Sequence, residues 1–330
     1  APGTDSDNDG DTPTQTDHIN GANASHVLVL DGSGTPNITS ATVLDGVTVT
    51  AGQANGAGAD NNNIGGGLFC NGSGAGNQCS PSITDVVLRG NAASRLGGAL
   101  YNDGGSGGTA SPAITGTVFN GNSAEDGGAV ANDGFNGNSS PTFTDVTITN
   151  NKAQFVGGGI FNEAENSGSA NFTIQGNSVL RQNEANRDGG AIFTVASGTG
   201  TEASPVIENA VFEQNRAAVN TTTQELGGGA IWNAANSGGT ASPQITNSSF
   251  TGNEAVGDPQ DNISTLGGAI KSQSNNDGST VALTIENTSF ENNFAVGAGG
   301  ALFNIAFDGA QVNSSITGST FSNNTAGSGG

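Results

Sequence analysis

The sequence predicts an all-β chain, a right-handed parallel β-helix of about ten coils with one repeat of 30–39 residues per coil. Three observations carry this reading. The apolar residues fall in short β-branched runs such as "ITGTVF", "FTDVTIT" and "VIENAVF", each bounded by Gly, Asn or Ser-Pro. No stretch keeps a 3.6-residue apolar period long enough for a helix. A two-part motif also recurs along nearly the whole chain.

The first part of that motif is a glycine pair followed by a small residue, an aliphatic and then Asn or a substitute, as in "GGALYN", "GGGIFN" and "GGAIWN". The pairs begin at Gly65, Gly97, Gly127, Gly157, Gly189, Gly228, Gly267 and Gly299. The second part is an apolar-x-x-Asn-x-Ala segment, seen in "SPSITDVVLRGNAA" from Ser80 and "SPVIENAVFEQNRA" from Ser204. A unit this small cannot bury its apolar face alone. Stacked units can, with strands pairing about 4.8 Å apart, and ten of them make a rod on the order of 45–50 Å long.

Alternation along the glycine-pair strand places its fourth residue inside, together with the second and sixth. The fourth place reads Leu68, Leu100, Val130, Ile160, Ile192, Ile231, Ile270 and Leu302. The sixth reads Cys70, Asn102, Asn132, Asn162, Thr194, Asn233, Ser272 and Asn304. Stacked asparagines there can hydrogen-bond along the rod, and a second amide ladder is expected from Asn91, Asn122, Asn151, Asn183, Asn215, Asn253, Asn293 and Asn324. The fifth place then faces outward. Phe69, Tyr101, Phe161, Phe193, Trp232 and Phe303 form an aromatic stripe there, whose tolerance of Ala131 and Lys271 points to exposure and to a binding surface for sugars or a neighbouring rod; the alternative is that the Gly-rich loops just after it, such as residues 103–110, fold over it.

The motifs "GGA[IL]" and "FxxN" resemble the repeat of chlamydial polymorphic outer-membrane proteins. The stretch "SHVLVLDGSG…ATVLDGVTVTAGQANG…GGGLFCN" (Ser25–Asn71) is similar to the opening of bacterial right-handed β-helix surface proteins. The resemblance covers residues 25–330, behind an acidic leader at 1–24. It implies secretion, a cell-surface or extracellular location and an adhesive role, and it supplies no catalytic residues.

Charge sets further limits. The chain of 330 residues carries 29 acidic and 7 basic side chains, a formal net charge of -22. That balance argues against nucleic acid and anionic membrane as partners and suits a salty extracellular medium. No apolar run approaches the roughly 20 residues that span a bilayer. The expected function is therefore non-enzymatic: a secreted or surface structural protein acting by end-to-end self-association or by adhesion to a glycan or cell-surface receptor. The array closes at Gly329–Gly330 with no aliphatic strand after it, which is the reason for expecting the next molecule or further chain to cover the last coil. A carbohydrate-binding module is the alternative. A polysaccharide lyase or hydrolase is the third reading, disfavoured because the few basic residues are spread along the rod and acidic residues seldom share a repeat phase.

Two further features have specific chemistry. Cys70 and Cys79 are the only cysteines, and in a secreted chain they are expected to form a loop-clamping disulfide, with two buried free thiols as the alternative. By the chain-entropy argument a loop of about ten residues gains roughly 2–3 kcal/mol. In "DSDNDGD", Asp5, Asp7, Asp9 and Asp11 alternate around Gly10 like the first half of an EF-hand loop, although Thr16 stands where that loop has Glu. Calcium is the expected ligand. Calorimetry should detect calcium binding that EDTA removes and that Asp7→Ala abolishes; no binding, or binding indifferent to Asp7, makes the segment a solvated leader only.

Overall fold

The computed structural model describes residues 23–58, 61–219, 226–257 and 265–327. The acidic leader, apart from residues 23 and 24, lies outside them. So does the calcium motif at Asp5, Asp7, Asp9 and Asp11.

Each repeat folds into one coil with four strands, here called a to d. In the third coil these are Leu100–Asp103, Ala113–Thr115, Val118–Asn120 and Ser123–Ala124. Equivalent strands of successive coils pair in parallel, so the chain builds four sheets, each nine strands deep. Every strand connects to its sheet neighbour by a full turn of the coil, the right-handed crossover that twisted strands favour. Nine coils are thus described, near the ten expected, and no α-helix occurs among the described residues.

Register is strict. In sheet a, Leu28, Leu68, Leu100, Val130, Ile160, Ile192, Ile231, Ile270 and Leu302 lie one upon another, which confirms the fourth place as inward. Sheet b adds the column Ile83, Ile114, Phe143, Ile174 and Ile207, all essentially inaccessible to solvent. Sheet c adds Leu88, Phe119, Ile148, Leu180, Phe212, Phe250 and Phe290. Its last rings stack face to face: Phe212 on Phe250 at 4.5 Å, Phe250 on Phe290 at 4.9 Å, and Phe290 on Phe321 at 4.8 Å. Those separations match the strand spacing, so the coil repeat itself holds the rings in contact. The unit that is one residue longer keeps its place, because Asn177 N–H bonds the Asp145 carboxylate at 2.8 Å while Ile174 and Leu180 stay in their columns.

The two glycines of each pair have different jobs. The first turns the chain left-handed, with φ of 62° at Gly97 and 64° at Gly157, where a side chain is strained. The second has no room: a Cβ on Gly98 would lie 2.4 Å from the carbonyl oxygens of Gly128 and Ser123. The corner therefore needs conformational freedom and close backbone approach in succession.

At the corner between c and d runs the second amide ladder. The Asn122 backbone N–H and Nδ2 both donate to Asn151 Oδ1, each at 2.9 Å, and Nδ2 also donates to the Leu88 carbonyl at 3.0 Å. Asn253 repeats the pattern with Asn293 Oδ1, at 2.9 Å for both donors, and with the Phe212 carbonyl at 3.0 Å. The ladder runs unbroken from Asn91 to Asn324. The residue before each Asn sits left-handed, at φ between 54° and 64° from Gly90 to Gly252, a conformation that the non-glycine residues Asn150, Gln182 and Gln214 share, so the amide faces inward from a tight bend.

The sixth-place ladder is less complete. Asn102 donates to Asn132 at 2.9 Å, Asn132 to Asn162 at 3.2 Å, and Asn162 to the Ala170 carbonyl at 2.8 Å. Beyond the substitution by Thr194 the sequence of bonds stops. Thr194 Oγ1, both Asn233 amide atoms, Ser272 Oγ and Ser274 Oγ are buried with no hydrogen-bond partner among the described residues. At the other end Cys70 occupies the asparagine place and is disulfide-bonded to Cys79, as expected, with both residues inaccessible to solvent.

These two ladders make opposite stability forecasts. Asn253→Leu removes bonds on both sides and strands neighbouring donors, so it should cost about 1–3 kcal/mol or more. Asn233→Leu removes an amide with no hydrogen-bond partner among the described residues and should cost less. Denaturant melts of the two variants check the order, and an equal or reversed cost rejects it.

Candidate functional site

The outer face of sheet a carries the structure's candidate site. The aromatic residues of the fifth place do point away from the core, as the alternation requires. They are not exposed, however. Phe69 and Tyr101 are 5% accessible, and Phe161 and Trp232 are 7%. The cover is a second layer, in which residues just before the glycine pairs fold back over the strand. Ile64, Leu96 and Val156 pack in this way on Phe69, Tyr101 and Phe161, and Leu226, two residues before its pair because Gly227 takes the intervening place, packs with Val195 and Trp232. These cover residues pair with one another from coil to coil through isolated parallel bridges, including Ile64 with Leu96. The tolerance of Lys271 at the fifth place has the same explanation. Its side chain is fully buried, with Nζ 3.9 Å from the centre of the Trp232 ring.

Stacking in register also decides which part of each ring is available. Phe161 lies parallel to Phe193 at 5.9 Å, and Phe193 meets Trp232 at 5.9 Å. Trp232 therefore has Phe193 toward one neighbouring coil and the Lys271 ammonium toward the other. The stripe's rings contact one another along the rod, face to face for Phe161 and Phe193 and tilted for Phe193 and Trp232. Phe69 continues the row with His26 at 5.5 Å and Tyr101 at 5.8 Å, while Phe303 is half-buried.

At two coils the cover residue is a carboxylate: Asp126 and Asp188 stand where the others are apolar. Asp126 accepts the Val156 N–H at 3.1 Å, and Asp188 accepts the Gly227 N–H at 3.1 Å. Burial raises both carboxyls above the usual range, Asp126 to about 6. The Lys271 and Arg187 charges partly oppose the rise at Asp188. The seventh place of the neighbouring coils adds Asp103, Asp133 and Glu163, stacked in register. Tyr101 donates its hydroxyl to Asp133 at 2.7 Å, and burial with the Asp133 charge pushes the phenol well above its ordinary value. Glu163 is driven up to about 8, first by burial and then by Glu165, Asp133 and Asp126.

Between these layers lies a groove of about 340 Å³. Its floor and sides include Val156, Leu226 and Ala234, with the edges of Phe193 and Trp232. Asp126, Asp188, Arg187 and Phe155 line one part, and Asn236, Gln273 and Asn275 line another. Sequence reasoning selected Phe193 and Trp232 but missed the rest. The apolar residues preceding the glycine pairs, broken only by Asp126, Asp188 and Gly or Ala substitutions, were the available signal. The corners that follow Arg216–Val219 and Glu254–Gly257 are described only at their stems. There Arg216–Val219 pairs with Glu254–Gly257 and Leu226 with Thr265, so the stems do run side by side. Among the described residues no group of three or more His, Cys, Asp or Glu could hold a metal ion.

The architecture defines a class: a β-solenoid whose unit joins a glycine-pair strand to an asparagine corner. Within it, residues 145–163 match the Chlamydia polymorphic membrane protein repeat. That segment runs from the left-handed corner at Asp145 through the ladder residue Asn151 and the glycine pair to Glu163. No curated protein and no solved structure matches the chain.

The raised carboxyls predict a pH dependence. The native state holds protons on Glu163 between its ordinary value of 4.5 and about 8 that the unfolded chain has released. The stabilisation this gives is complete below 4.5 and is lost as pH rises through 8, and Asp126 acts likewise between 3.8 and about 6. Melting temperature should thus be higher at pH 5 than at pH 8. Relief of the overall negative charge acts in the same direction, so the diagnostic is Glu163→Gln, which should narrow the difference between the two pH values. A difference unchanged in that variant removes Glu163 from the account.

Proposed function

We propose that the chain is a non-enzymatic surface protein that works by adhesion, with the solenoid as a stiff body and its side wall as the contact surface. One observation carries this reading: residues 145–163 match a membrane-protein repeat, in a stack where the other units share that unit's geometry. An extracellular or cell-surface location follows from the same match and agrees with the disulfide at Cys70–Cys79. The surface chemistry also favours adhesion over catalysis. Lys271, the one cation in the repeated strand, is buried against Trp232 rather than poised to abstract a proton. Calcium at Asp5, Asp7, Asp9 and Asp11 belongs to this proposal as a leader ligand, tested by the titration above.

Self-association is the second reading. Val29 and Val43 in the first described coil, and Ile316 and Phe321 in the last, are exposed large apolar side chains. A second copy stacked end to end would bury these side chains, and sedimentation across a concentration series tests for it.

Beads coated with the folded chain should attach to cell layers, and beads coated with the heat-unfolded chain should not. Equal attachment of both, or of neither, rejects adhesion by the folded wall. Release of reducing ends or unsaturated products from polysaccharides would replace the reading with an enzymatic one.

A further inference from the structure

The groove over sheet a combines features that select a ligand class. Its volume of about 340 Å³ falls within the range of small-molecule sites. Trp232 lines it at 7% exposure, and its indole N–H has no hydrogen-bond partner among the described residues. A buried donor without an acceptor is costly, and a ligand oxygen would satisfy it.

The amide end has a definite polarity. Gln273 Nε2 donates to Asn275 Oδ1 at 3.1 Å, and Asn275 Nδ2 donates to Asn236 Oδ1 at 2.8 Å. The relay leaves the Gln273 carbonyl oxygen as an acceptor at one end and the Asn236 amide nitrogen as a donor at the other. A hydroxyl, which both donates and accepts, is the complementary group for either end. Flat aromatic ligands fit poorly, since Phe161 occupies one face of Phe193, Lys271 occupies one face of Trp232, and the two rings meet each other at a 52° tilt.

Charge decides between saccharides. The chain as a whole is strongly acidic, at -22. The groove itself is balanced: Asp126 and Asp188 face Arg187 on the wall and Lys271 packed behind Trp232. A uronate or sialate would meet the repulsion of the nearby Asp133 and Glu165, while a charge-free ligand meets none.

We propose that this groove binds a short neutral saccharide, with Asn236, Gln273 and Asn275 reading hydroxyls at one end, Asp126, Asp188 and Arg187 reading them at the other, and the Trp232 indole donating to a ring or glycosidic oxygen between. The proposal rests on the adhesive reading and names the ligand of its side wall.

Trp232 is the only tryptophan in the chain, so intrinsic emission reports on the groove directly. The full chain is titrated with neutral gluco-, manno-, xylo- and N-acetylchito-oligosaccharides, with oligogalacturonate and with chitosan oligomers, and heats are measured in parallel by calorimetry. At least one neutral series should give saturable binding that shifts the Trp232 emission. Gln273→Ala and Asn236→Ala should each weaken it about tenfold or more while leaving the thermal melt in place. Binding of only the uronate or only the amine series overturns the proposal, as does binding indifferent to both variants or no binding at all. The bead assay keeps the two readings apart. If wild-type beads adhere and no neutral sugar binds, the saccharide groove fails and adhesion stands. If a neutral sugar binds but wild-type beads do not adhere, the groove stands and the adhesive reading fails.

Discussion

Every part of this molecule depends on one constraint: each residue lies directly against its own equivalent in the next coil. Parallel in-register pairing puts like on like about 4.8 Å apart, so a side chain must be compatible with a copy of itself. Aliphatics and phenylalanines meet that demand by contact, as in the Phe212–Phe250–Phe290–Phe321 stack. Asparagine meets it because one amide carries both donor and acceptor, and the Asn91–Asn324 corner exploits this at each step. Charges do not meet it. The outer face of strand d alternates instead, Lys152 beside Glu184 at 3.4 Å and Arg216 beside Glu184 at 3.9 Å. The carboxylate column Asp103–Asp133–Glu163 is the exception, and Asp133 adds, after burial and Glu165, to the upward displacement of Glu163.

This constraint also explains what the sequence revealed. A fold that repeats by contact between equivalents must repeat in its letters, and the glycine pairs and asparagines mark both corners of the coil. The inward fourth place and the Asn ladder followed from period and alternation alone. The disulfide followed from there being two cysteines within one loop. What alternation does not encode is a second layer. It places Phe161 and Trp232 on the outer side of strand a, but says nothing of whether Val156 or Leu226 folds over them. Reading the stripe as exposed was the consequence. Substitution by Ala131 and Lys271, taken as a sign of solvent, reflects instead a cramped layer that a methyl group or an extended side chain can fill.

The groove was the least legible feature because it arises from departures from the repeat. Asp126 and Asp188 interrupt a column of apolar cover residues, Gln273 interrupts a column that elsewhere holds Glu163, Val195 and Ala234, and Asn275 repeats Asn236 in a column that holds Glu165 and Ser197 in earlier coils. The longer a strands from Ile160–Glu165 onward widen the wall on which these residues sit. A repeat supplies rigidity; its local exceptions supply recognition. The complete corner ladder beside the incomplete sixth-place ladder shows the same division within the core.

The disulfide gains another meaning when the rod is considered under load. A solenoid pulled from its ends comes apart as a ratchet, one coil at a time, because each coil is bonded only to its two neighbours. A coil such as that from Leu68 to Leu100, 32 residues by register, would pay out on the order of 100 Å of extended chain at about 3.3–3.6 Å per residue. The bond between Cys70 and Cys79 withholds the nine-residue span it encloses from that extension. The second coil therefore yields less slack than its fellows, and a tether built in this way stiffens where the clip sits.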